Sequence, residues 1–248
     1  MTSLCRRILL VLGLLCFLEA NVHADLVLET ETAELGKQGH VALSAGVQFE
    51  REKDGSQTAF TLNQFEYAIT DRAEMLIEPF FYEWSKPADG PLVQGIGDLE
   101  ITPSYMVLLE KPYAPAIVLA FKLKVPTATN RDIGTGKCDY QPYVIFGKKF
   151  GHWILNANFG YDFVTSPGDE PLRNQFIYDF SVEREITEQW SVYAEVFANS
   201  TPAVGVNGTF SGAIATEFRF TKNFNVFVSV GYDSDGLFNV RPGINFEF

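Results

Sequence analysis

Residues 224–248 read FNVFVSVGYDSDGLFNVRPGINFEF, and the alternation in this stretch decides the fold. Phe224, Val226, Val228, Val230 and Tyr232 share one parity, with Asn225, Ser229, Gly231 and Asp233 between them. After the turn residues Asp233-Ser234-Asp235-Gly236 the pattern resumes. Phe238, Val240, Pro242, Ile244, Phe246 and Phe248 fall on one face, and Asn239, Arg241, Gly243, Asn245 and Glu247 on the other. A period of two marks a strand with two unlike faces. Six apolar positions in a row, ending on an aromatic terminus, exceed what a half-buried strand of a water-soluble protein usually shows.

The same two-faced segments recur toward the N-terminus. Trp153, Leu155, Ala157, Phe159, Tyr161 and Phe163 oppose Asn156, Asn158, Gly160 and Asp162. Ile117, Leu119, Phe121, Leu123 and Val125 oppose Ala116, Ala120, Lys122 and Lys124. The segments 97–109, 174–185 and 209–220 behave alike. The spacing predicts strands at 40–50, 58–69, 73–84, 97–109, 116–126, 138–147, 152–163, 174–185, 190–198, 209–220, 224–233 and 237–248. Strands two and three do not alternate cleanly, since Phe60, Leu62, Phe65 and Tyr67 occupy both parities, as do Phe80 and Phe81. Their faces stay unassigned.

Five connections are tight, for example Thr70-Asp71-Arg72 and Thr221-Lys222-Asn223. They alternate with loops at 51–57, 85–96, 127–137, 164–173, 199–208 and 234–236, mostly longer and rich in Gly, Asp and Pro. Short turns at one end and loops at the other describe an all-β, transmembrane, antiparallel up-and-down barrel of about 12 strands with both termini periplasmic.

The first residues read as an export signal: Arg6 and Arg7, an apolar run from Ile8 to Leu18, and Val22-His23-Ala24 at the cleavage position. That run is too short to span a bilayer as a helix. A lipoprotein signal around Leu14-Leu15-Cys16 competes, but it wants a small residue where Leu15 stands. Cleavage after Ala24 leaves a 25–39 periplasmic N-terminal segment and one barrel domain over 40–248. Of 19 basic and 31 acidic residues, the signal removes Arg6, Arg7 and Glu19, leaving 17 against 30 and a net charge of −13. Such a surplus of acid excludes a nucleic-acid-binding face. Cys5 and Cys16 leave with the signal, so Cys138 has no intramolecular partner.

Periodicity alone does not separate a membrane barrel from a secreted sandwich, whose apolar face packs inward. Export, the alternation of loop length, and an apolar face rich in Phe and Tyr near strand ends favour lipid outside and water inside. Only a closed sheet satisfies every backbone polar group in a bilayer.

Several motifs, in order, carry a resemblance. They are Thr32–Gly39 ahead of the first strand, Ile69-Thr70-Asp71-Arg72, Gly95-Ile96-Gly97-Asp98-Leu99-Glu100, Leu123-Lys124-Val125-Pro126-Thr127, Asp139-Tyr140, and Asn158-Phe159-Gly160-Tyr161. Together they are similar to the MetA-pathway phenol-degradation proteins, an outer-membrane barrel family described as transporter-like. The resemblance spans nearly all of the chain after the signal. It implies a barrel and a loose link to uptake of small, often aromatic compounds, and it transfers no catalytic residue.

The polar parity supplies candidate lumen-lining residues: Asp98, Glu100, Lys122, Lys124, Asp139, Asn156, Asn158, Asp162, Asp179, Glu195, Glu217, Arg219, Arg241, Asn245 and Glu247. Charges of both signs on a pore wall filter solutes. The same charges can pair across a filled interior, because a barrel of this size lies between filled and open ones. His40 and His152 both fall at the short-turn end, away from any Ser they could activate, so no enzyme, cofactor or metal site is expected. Asp233-Ser234-Asp235-Gly236 lacks the later ligands of a calcium loop and reads as a turn. The sequence therefore points to an outer-membrane channel or transporter for small molecules in a Gram-negative bacterium. Its partners are outer-membrane lipid, a small-molecule solute, and the barrel-assembly machinery through the C-terminal strand ending in Phe248. A plugged barrel acting through its loops is the alternative.

Overall fold

The computed structural model describes residues 25–79, 82–168, 172–203 and 205–248. The expected signal sequence and its cleavage point, and Phe80 and Phe81 of the third predicted strand, lie outside these residues. After a short 3-10 turn at Asp25–Val27, the chain forms β1 (Val41–Arg51), β2 (Gln57–Thr70), β3 (Ala73–Glu78), β4 (Tyr82–Lys86), β5 (Val93–Ile96), β6 (Leu99–Leu108) and β7 (Ala116–Val125). It continues through β8 (Asp139–Phe150), β9 (Trp153–Asp162), β10 (Gln175–Thr187), β11 (Trp190–Asn199), β12 (Thr209–Thr221), β13 (Phe224–Asp233) and β14 (Phe238–Glu247).

Each strand pairs antiparallel with its neighbours, and β1 pairs with both β14 and β2, so the sheet closes on itself. Strands β3 and β4 are two halves of one stave, as are β5 and β6: β2 pairs with β3 at one end and β4 at the other, while β6 and β5 pair with the same two halves. The barrel thus has twelve staves, the expected number. Two of them are interrupted: the first falls within the strand predicted at 73–84, and the second precedes the strand predicted at 97–109, because its other half, β5, lies in the segment 85–96 that the sequence reads as a loop. Pro79 stands at the first break and Gly97-Asp98 at the second. Proline cannot donate to a ladder, and the Asp98 carboxylate turns instead to loop amides, Thr127 N at 3.0 Å and Ala128 N at 2.9 Å.

The outward rows are apolar and open. Phe49, Leu119, Phe159, Phe180, Ile214, Val228 and Tyr232 are all exposed, while their sequence neighbours face in. Rings gather in two bands. One lies by the loops, where Tyr140 stacks on Phe163 at 5.0 Å and Tyr161 meets Phe176 at 4.7 Å. The other lies by the short turns, where Phe224 meets Phe246 at 4.8 Å and Trp190 donates to Thr216. Such a pair of girdles brackets a hydrocarbon layer.

The faces of β2 become plain in the barrel. Phe65 and Tyr67 pair in register with Leu43 and Val41 on the outward parity and Ile69 is exposed, while Leu62 turns inward and packs against the buried cluster of Leu26, Val27, Leu28, Tyr193, Ala215 and Phe227. An apolar residue inside a polar barrel needs an apolar partner there, and that partner is the segment ahead of β1. The sequence reads residues 25–39 as a periplasmic segment; in the structure residues 26–36 run inside the barrel, while Lys37 to Gly39 are exposed at its short-turn rim.

Candidate functional site in the barrel interior

The inner face joins two systems: a network of charges on the wall and a strap formed by residues 26–40. The strap starts from the short-turn end, where Gly39 N donates to Ala68 O at 2.8 Å and Gln38 N to the Asp71 carboxylate at 2.9 Å. Further in, Gly36 N donates to Glu74 at 3.0 Å and Ala33 N to Asn156 Oδ1 at 3.3 Å. The Asn158 amide, in the orientation that suits both groups, donates to Glu31 O (3.1 Å) and accepts from Glu31 N (2.7 Å). One Glu195 oxygen then accepts from Glu29 N at 2.9 Å, Thr30 N at 2.7 Å and Thr30 Oγ1 at 2.7 Å. These are the backbone bonds that a strand would otherwise find in a sheet, supplied here by wall side chains.

Apolar seats hold the strap between its polar anchors. Ala33 packs in a buried cluster with Met106, Ala116, Val118, Ala120, Tyr143 and Ile145. Gly147 makes room for it, since a Cβ there would lie 2.6 Å from that of Ala33. Leu26 to Leu28 sit on Tyr193, Ala215 and Phe227. The Phe227 ring lies across Gly243, where any Cβ would meet it at 2.2 Å. The tip is gripped by Arg241, which donates to Leu26 O (3.3 Å), Leu28 O (3.4 Å) and the Glu29 carboxylate, while its Nε donates to Gln48 Oε1 at 2.6 Å.

Several of the fifteen candidate residues meet in this interior. Glu78 and Glu100 lie directly opposite each other across β3 and β6, a repulsive pairing relieved by Lys122 at 3.4 and 3.1 Å. Lys124 bridges Asp139 and, at 3.9 Å, Asp98. Asp139 also accepts Thr165 N at 2.7 Å, so Asp98 and Asp139 fasten loops as well as facing the interior. Glu217 has Arg219 at 4.0 Å and the Asn245 amide at 3.5 Å, and Glu247 has the Asn225 amide at 3.4 Å. Asn156, Asn158, Glu195 and Arg241 hold the strap. Asp162 stands at the loop end of β9, opposite Gln175 and apart from the strap anchors. Asp179 borders a cavity of about 160 Å3 on the loop side of the strap, with Glu29, Glu31, Lys122, Asn158 and Phe197 among its other walls.

The strap residues themselves, Glu66 and Glu74 on the unassigned strands, and the seats Tyr193 and Phe227 are absent from the sequence-derived set. A signal existed for the seats: Phe227 breaks the polar parity of β13. His40 is buried at the short-turn end, 4.0 Å from Glu247, and His152 is exposed in its turn, 3.6 Å from Glu185. Asp233 accepts three backbone amides, those of Asp235, Gly236 and Leu237, and Gly236 takes φ 91°, so this segment is built as a turn. Among the described residues no group of three His, Cys, Asp or Glu is arranged to hold a metal ion.

Lys124 is the cation between two carboxylates, and Lys124→Met leaves both facing one another. We expect a loss of about 1–3 kcal/mol, below the range for a fully buried pair because water reaches part of the Lys124 side chain. Urea unfolding of refolded protein in micelles measures it.

The family model described as "Putative MetA-pathway of phenol degradation" matches residues 81–246. Among solved structures, the chain is similar to the COG4313 outer membrane channel from Pseudomonas putida F1, with 13% identity, TM-score 0.69, and 87% of this chain and 98% of that one covered. It is also similar to the NanC porin (11% identity, TM-score 0.61, 82% and 98% covered). The KdgM porin, solved in complex with disordered oligogalacturonate, follows at 12% identity, TM-score 0.59, and 84% and 99% covered. A search of curated proteins finds no match. At these identities the structural likeness concerns the fold.

Proposed function

The chain belongs to this MetA-pathway phenol-degradation family, and from that premise we propose that it is an outer-membrane channel for small molecules, aromatic ones among them, whose opening is set by the internal strap. The observation that carries this reading is a closed barrel with a polar, doubly charged interior, narrowed by a segment of its own chain below an open cavity. Its fold is shared with channels and porins. The family's description supports the aromatic part of the reading. In this reading the loop end faces outward, both termini are periplasmic, and residues 1–24 are removed on export. The barrel-assembly machinery receives the C-terminal strand that ends in Phe248.

Wall charges suit this task. Lys122 and Lys124 stand among carboxylates on the same side of the interior, so a solute crosses a field rather than a uniform surface. Refolded protein in planar bilayers is expected to give discrete conductance steps and to pass small aromatics into liposomes. Silence in both assays removes the transport claim. A second reading is a non-conducting barrel that acts through its loops. The strap favours it, because polar anchors and apolar seats together occupy much of the interior. Silent bilayers with a captured loop partner would establish that reading instead.

A further inference from the structure

The outer wall carries a groove that the channel reading does not use. It lies at the loop end and encloses about 460 Å3 over β1, β2, β4 and β14. Strand register explains its shape. One row across the wall runs Val240, Phe49, Ala59, Trp84. Ala59 is small between two large rings, so the row has a floor with raised sides. The next row toward the loops runs Phe238, Arg51, Gln57, Lys86. Leu92 closes the far side.

An apolar trough below and two cations above have the polarity of one amphiphile: acyl chains in the trough, an anionic head at the rim. Arg51 and Lys86 stand two strands apart, about 10 Å between backbones, so both can reach one head group. Among the described residues these are the only basic side chains that strands turn outward at the loop end, and they share this groove. The other outward basic strand residues, Lys148 and Arg184, lie by the short turns, the second over the Trp153 ring. The loop carboxylate of Asp54 is engaged by Ser56, and that of Glu50, which also borders the groove, accepts from Gln48 Nε2 at 2.6 Å; Lys86 Nζ donates to Gly90 O in the neighbouring loop and keeps two further protons for a head group.

We propose that this groove binds a phosphorylated glycolipid of the outer leaflet, its acyl chains lying on Ala59 between Phe49 and Trp84 and a phosphate held by Arg51 and Lys86. The assignment rests on the outward orientation of the loop end proposed above. The groove is outside the lumen, so conductance tests the channel reading separately.

The test is native mass spectrometry of the full barrel in mild detergent, titrated with purified lipid A and with phosphatidylglycerol. Wild-type protein is expected to retain one lipid A in preference to phosphatidylglycerol. The neutralising double variant R51Q/K86Q should bind it roughly thirtyfold more weakly, from about fivefold for each basic side chain near a charged membrane surface. Ala59→Trp, which fills the trough and keeps both charges, should also lose the lipid. Conductance and the heat-dependent gel shift of a folded barrel should stay unchanged in both variants. Equal retention by wild type and R51Q/K86Q overturns the proposal, and so does retention by Ala59→Trp. Equal affinity for phosphatidylglycerol overturns the assignment to the glycolipid.

Discussion

Protein refolded from a chain that begins at Lys37 is expected to conduct several times more current per channel than protein that begins at Asp25. The truncation removes residues 25–36 and with them the anchors on Glu74, Asn156, Glu195 and Arg241. None of the ladder bonds between staves involves these residues, so the wall keeps its full set of backbone partners. The freed carboxylates and amides then face a water-filled space and remain solvated, which limits the cost of losing the strap. The seats Leu62, Tyr193 and Phe227 lose apolar cover, which lowers stability without opening the sheet. Single-channel recordings of the two proteins, with their folded state checked by gel shift, decide the point. Equal conductance would mean that the strap does not set the opening. The substitution R241A releases only the tip, and its conductance should fall between the two.

The second large effect lies on the outside. Val228 stands midway along β13, outward, beside Thr216 and Pro242. The change V228R places a charge in the outward row and should cost about 2–4 kcal/mol if that position lies at the bilayer midplane. The outward Ile186, near the short-turn end of β10, should tolerate arginine at a cost of about 0–1 kcal/mol, because the penalty fades toward the interface. Urea unfolding in lipid vesicles measures both. Equal costs at the two depths would contradict a hydrocarbon layer around this wall.

The alternation of β9 through β14 made the barrel legible because lipid outside and water inside impose opposite demands on neighbouring residues. Where the interior is not watery, the signal fails for a physical reason. Leu62 and Phe227 are inward and apolar because Leu26 to Leu28 lie against them. The inward place of Leu62 in strand two is therefore a trace of the strap, and reading it required knowing that the strap was there. The strap itself left little in the sequence. Several of its bonds run from backbone amides to side chains more than a hundred residues away, as from Thr30 N to Glu195. A backbone amide has no residue type to announce it. The breaks in staves three and four were half legible: Pro79 is a known obstacle to pairing, whereas the turn of Asp98 toward Thr127 and Ala128 depends on where the loop arrives. Among the site residues, parity found the anchors Asn156, Asn158, Glu195 and Arg241, but it offered them as a pore lining and gave no hint of what they hold.

Arg241 belongs to the last strand of the chain, and the carbonyls it grips, those of Leu26 and Leu28, are among the first groups described. The clamp on the strap therefore does not exist until β14 has been made and has joined the wall. A chain truncated before β14 has neither a seam partner for β1 nor a fastening for its leading end. Sealing the cylinder and securing its stopper draw on the same stave, so a half-finished molecule can do neither.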